Sequence, residues 1–143
     1  MIRAFHLALL ALLLTASEIS ADSPKPAEAR FGTWRQVLVV ADGKEPQLIG
    51  AGTNSLASIS DEGYTVTVNG KSFLKGTTKT DTTKSPVETE ITYTEGPWTG
   101  GTSLGIVKIE GDIMIECIGT KRPTEFRCIP GSGHTLMVWL RVK

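Results

Sequence analysis

One stretch of the chain gathers residues that could do chemistry. RPTEFRCIPGSGH, residues 122–134, sets Glu125, Cys128, Ser132 and His134 within ten positions of one another. A nucleophilic serine elbow needs glycines two before and two after the serine, with a helix behind it. Ser132 has Pro130 and His134 in those places, and the strand-like run TLMVWLRV follows. Pro130, Gly131 and Gly133 supply a fixed φ and then freedom at positive φ, which is what a connection between two strands requires. The stretch therefore reads as a turn.

Other constellations are sparse. Beyond the first 21 residues the chain holds one histidine, His134, and two cysteines, Cys117 and Cys128. A zinc or copper site takes three or four nitrogen, sulfur or carboxylate ligands, so no metal and no cofactor is expected. Carboxylates for acid–base work stand at Glu88, Glu90, Glu95, Glu110, Glu116 and Glu125, mostly where a strand would face water. Glu116 has two readings. It shares strand parity with Met114 and Ile118, and if that face is interior, its charge needs a partner or a ligand. If Ile113, Ile115 and Cys117 face inward instead, Glu116 is solvated, which the rarity of buried carboxylates favours. No catalytic set emerges, and a non-enzymatic domain is expected.

The elements that would position these residues begin after residue 21. MIRAFHLALLALLLTASEISA has the layout of a secretory signal: Arg3, an apolar run over residues 4–14, then small residues at Ala16, Ser17, Ser20 and Ala21. The run is shorter than the ~20 residues that span a bilayer. Cleavage after Ala21 fits best, with Ser17 the alternative, and implies an extracytoplasmic protein, periplasmic or secreted. Residues 22–30, DSPKPAEAR, read as a flexible leader. The chain's 15 basic and 15 acidic residues balance, which argues against a sequence-independent grip on nucleic acid. No later stretch could cross a membrane as an apolar helix.

From Phe31 onward, runs rich in Val, Ile, Thr and aromatic residues alternate with Gly, Asn, Asp and Pro, the pattern of antiparallel strands and turns. Strands are expected near residues 33–40, 55–60, 64–68, 72–80, 87–94, 103–110, 113–118, 124–129 and 135–142. Asn69-Gly70 carries a strong hairpin signal, and Gly111-Asp112 serves similarly. Residues 47–49 read as a single helical turn. Sequential short strands without helical apolar spacing favour an all-β, antiparallel up-and-down meander of about eight or nine strands, closed into a small barrel that hides its edges. Cys117 and Cys128 then fall on adjacent strands joined by GTKRPT, where cross-strand pairing could bring them to disulfide distance in an oxidising compartment.

GTWRQV near residue 32, ADGK after the first strand, TEGPWTGGTSLGIVKIEGD over residues 94–112 and RPTEF followed by PGSGH near the end together resemble a family of secreted, planctomycete-associated domains of uncharacterised function. The resemblance covers residues 31–143. That family looks lipocalin-like, and Gly32-Thr33-Trp34 resembles the lipocalin G-x-W element. Glu116 and Cys128 depart from its pattern. The resemblance implies that Trp34 packs beneath an arginine near the C-terminus, here Arg141. Parity opposes this if Leu136, Val138, Leu140 and Val142 form the inward face of the last strand, because Arg141 then shares the outer face with Met137 and Trp139.

Two functions follow. The first is a binding module holding a small apolar or amphipathic molecule in the barrel, with Trp34, Glu116 and Arg141 as candidate ligand-binding residues. The second is an interaction or envelope-associated domain with a filled core, meeting an envelope protein through an outer surface with Trp98 as its anchor. The volume inside the barrel discriminates them.

Overall fold

Alternating inward and outward residues give nine antiparallel strands among the described residues, eight of which close on themselves. In this computed structural model, which describes residues 27–50 and 52–143, they are β1 (Gly32–Ala41), β2 (Gln47–Leu48), β3 (Ser55–Ile59), β4 (Tyr64–Val68), β5 (Lys71–Asp81), β6 (Val87–Glu95), β7 (Thr102–Glu110), β8 (Ile113–Gly119) and β9 (Thr135–Arg141). Each strand from β3 to β9 pairs with the next, β3 returns to β1, and β1 pairs with β9 to complete the ring. Closure leaves the ring without a free edge. The expected meander and barrel are therefore the observed architecture. The expected signal segment, residues 1–21, lies outside the described residues, as does the leader before Ala27. Among the described residues no helix is long and apolar enough to cross a membrane.

Asn69 and Gly70 both take positive φ, 49° and 77°, at the tight β4–β5 turn, as the sequence leads one to expect. Two irregularities set which side chains enter the barrel. On β1 the pairing with β9 shifts between Gln36 and Leu38. Trp34 and Gln36 point inward before the shift, and Val39 takes over after it. On β5 the register with β4 slips between Val66 and Thr67, opposite Phe73, and the bulge brings Phe73 beside inward Leu74 at the mouth.

The core comprises Trp34, Ala57, Ile59, Tyr64, Val66, Leu74, Ile91, Tyr93, Val107, Met114, Met137 and Trp139. The inward face of β9 is thus Met137 and Trp139, while Leu140 is 42% exposed. This reverses the expected pleat, and it removes the objection to Arg141, which follows Trp139 at the same parity.

Residues 47–49 form no helical turn. Past Arg35 the edge of β1 has no β3 partner, and Gln47 and Leu48 fill it by pairing with Val39 and Leu38. Residues 124–129 form no strand either, because β8 pairs directly with β9, Glu116 opposite Met137, and the sheet has no place for another strand between them. The long β8–β9 connection instead straps the outside of the barrel. Arg122 Nη1 donates to the carbonyls of Thr89, at 2.7 Å, and Gly105, and Ile106 and Cys117 are buried although neither belongs to the barrel core.

The strap also explains why the expected disulfide is absent. Cys117 and Cys128 are both free thiols. Cys128 lies off the sheet, where its Sγ accepts from the Gly43 N–H at 3.1 Å and donates to the His134 carbonyl at 3.0 Å. Cys117 directs its thiol to the Arg127 carbonyl at 3.7 Å. Cys128 thus ties the strap to the turn after β1 rather than bonding across strands.

Candidate functional site

The strands divide the barrel into a filled end and a hollow end. The filled end is where β1 begins and β9 finishes. A 3-10 turn, Glu28–Arg30, precedes β1 and sends the Arg30 side chain into the interior, where it is 2% exposed. Its Nη1 donates to Thr78, Thr80 and Thr89 at 3.1, 3.2 and 2.8 Å, and its Nη2 pairs with Glu116 Oε1 at 2.8 Å. Glu116 is fully buried, so the solvated reading of that residue is corrected: Met114, Glu116 and Ile118 face inward. The partner that burial demands is Arg30, which stands in the stretch expected to be a flexible leader. The available signal was polar rather than apolar: Thr78, Thr80 and Thr89 occupy inward positions of β5 and β6, where an interior cation would find oxygen acceptors.

Arg141 locks this arrangement from outside. Its guanidinium lies 4.0 Å from the centre of the Trp34 ring, and its Nη1 and Nη2 donate to the carbonyls of Phe31 and Ala29, each at 2.8 Å. Trp34 Nε1 donates to the Arg30 carbonyl at 2.8 Å. Gly32 makes the approach possible: its φ is +122°, and a Cβ there would stand 3.1 Å from Arg141 Nη1. Trp34 and Arg141 therefore meet, as the G-x-W resemblance implies.

The hollow end opens where β1 finishes and β9 begins. A cavity of about 500 Å³ lies there, within the 300–1,000 Å³ usual for small-molecule sites. Val39, Val66, Val68, Leu74, Ile118 and Met137 supply aliphatic wall, and Tyr64, Phe73, Tyr93, Trp98 and Trp139 supply rings. Gln36, Ser55, Thr102, Ser103, Thr120 and Thr135 add uncharged polar groups. None of the described residues lining the cavity carries a charge.

Trp98 stands at the rim. It packs edge-on to Phe73, with ring centres 5.8 Å apart, and tilted against Tyr93 at 5.6 Å, yet it is 53% exposed. It thus lines the cavity as well as facing solvent. Trp34, Glu116 and Arg141 are not among the cavity's lining residues; they build the filled end.

Burial raises the Tyr64 phenol well above its ordinary pKa, and the Glu116 carboxylate adds to the rise. Tyr93 is raised mainly by burial too, although its hydroxyl donates to Ser103 Oγ at 2.9 Å and that contact lowers it. Both phenols therefore enter the cavity wall as neutral groups at ordinary pH. Glu116 itself is pushed upward by burial, and Arg30 offsets only part of the shift.

No family model, no curated protein and no solved structure matches this chain. Nor, among the described residues, do three metal-ligating side chains converge anywhere. The cavity wall presents aliphatic side chains, aromatic rings and uncharged hydrogen-bonding groups.

Proposed function

We propose that this is an extracytoplasmic, non-catalytic binding domain that holds a small apolar or amphipathic molecule in its barrel, with a fold kinship to lipocalins. The observation that carries the reading is the cavity of about 500 Å³ at the open end, walled by aliphatic and aromatic side chains. An apolar guest there exchanges much of its contact with water for contact with packed side chains. The filled end supports the same reading. Arg30, Trp34 and Arg141 close that end and hold the wall shape independently of any guest, so little ordering cost falls on binding. The cavity favours this reading over the envelope-interaction alternative, which supposes a filled core acting through an outer surface at Trp98.

The test is native mass spectrometry of the protein isolated from its own organism under mild conditions. A small molecule that co-purifies with the folded protein, and is lost from a variant whose cavity is filled by Val68→Trp, is expected. Protein that arrives without a guest and takes up no apolar probe at micromolar concentration would refute the reading.

A further inference from the structure

Resting on the ligand-binding reading, we infer that the cavity selects an uncharged ring compound bearing a hydrogen-bond-accepting oxygen, and rejects carboxylates such as fatty acids. The first ground is the wall. Among the described residues that line it there is no Lys, Arg or His to receive an anion, and no Asp or Glu to receive a cation. The interior cation, Arg30, is already committed to Glu116 and three threonines. Arg141 is committed to two backbone carbonyls and the Trp34 ring. A carboxylate entering the cavity would lose its hydration and gain no countercharge.

The second ground is the placement of the uncharged polar groups. The β1–β3 ladder ends at Arg35–Leu56, so Gln36 and Ser55 are the residues next to its last pair, and Gln36 pairs with Trp139 across β1–β9. All three residues line the cavity. Trp139 is 1% exposed and its Nε1–H has no acceptor, a rare state for a buried donor. Gln36 and Ser55 make no side-chain hydrogen bond among the described residues. Donors thus gather on one wall. β6 lies four strands away around the eight-strand ring, so Tyr93 stands across the cavity, and with Phe73 and Trp98 it forms a ring-lined rim. A planar molecule would place its oxygen toward Gln36 and its rings against that rim, where offset or edge contacts are favourable.

Three probes in equilibrium fluorescence titrations of the whole domain decide the matter. They are 6-propionyl-2-dimethylaminonaphthalene, neutral with a ketone; N-phenyl-1-naphthylamine, neutral without an accepting oxygen; and 8-anilino-1-naphthalenesulfonate, the same skeleton made anionic. Laurate is added as a competitor. The ketone is expected to bind at least about ten-fold more tightly than the sulfonate, which corresponds to about 1.4 kcal/mol, and laurate should not displace it. Gln36→Leu should weaken the ketone several-fold and leave N-phenyl-1-naphthylamine unchanged. If the sulfonate or laurate binds as well as the ketone, or Gln36→Leu affects both neutral probes alike, the selectivity is overturned while the binding reading survives. If no probe binds, both fall.

Discussion

Arg30 and Glu116 are the two buried charges among the described residues, and they behave as one unit. Taking both out of water is costly, and their contact offsets that cost only while both are present. Arg30→Ala is therefore expected to destabilise the domain by about 3–5 kcal/mol, since it strands the carboxyl. Replacing both together, Arg30→Met with Glu116→Leu, should cost less than the single change, as measured by urea denaturation. The pH dependence of the unit has a definite sign. Glu116 holds its proton more tightly folded than unfolded, because burial lifts it above its ordinary 4.5. Its contribution to stability is then greatest in acid and is lost as pH rises from about 4.5 through the folded-state value. The stability of the parent minus that of Glu116→Gln should accordingly fall with rising pH between 4 and 8; a difference that grows with pH would contradict the assignment. At the opposite face of the same turn, Trp34 and Arg141 should couple. Trp34→Phe and Arg141→Ala are each expected to destabilise, and the double mutant should fall short of their sum by about 0.5–2 kcal/mol.

Among the elements, the β8–β9 connection shows most clearly what sequence pattern conveys and what it does not. Its Pro and Gly residues mark it as a connection, and the flanking strands are legible from alternation alone. Its path across the outer face is not, because the path depends on Arg122 reaching carbonyls of β6 and β7 that are remote in sequence. The same limit hid Arg30: periodicity reports which face of a strand is apolar, not which distant cation enters it. The pleats of β8 and β9 were ambiguous for a related reason. Ile113, Ile115, Leu136 and Val138 look like core but rest on the outside, where Ile113 and Leu140 stay more than 40% exposed. The strap holds Cys117 beneath it, and burial pushes that thiol up to about 11, so it should react with a disulfide reagent far more slowly than Cys128 in the native protein. Arg122→Ala is expected to cost about 1–3 kcal/mol and to speed labelling of Cys117 as the strap opens. An unchanged labelling rate would mean that Arg122 does not hold the strap down.

At the scale of the molecule, the eight-strand ring is used unequally: charge and tryptophan fill one end, while neutral side chains leave the other hollow. A barrel of this strand number has room either to fill its interior or to hold one small guest, and here one half is filled while the other is hollow. On the proposed reading the filled half would hold the ring in shape, and a guest would only have to occupy the cavity. Trp98, half in the wall and half in water, would then report occupancy through its fluorescence. The most direct test of this account is titration of the domain with N-phenyl-1-naphthylamine, comparing the parent with Val68→Trp, whose added indole enters the cavity from partly exposed β4 without touching the Arg30–Glu116 pair. Saturable, one-to-one binding with a blue-shifted probe and quenched tryptophan emission is predicted for the parent, together with at least about a ten-fold loss in the variant once its thermal unfolding shows it folded at the titration temperature. Equal binding by both proteins would place the probe elsewhere and contradict the claim that this barrel carries its guest inside.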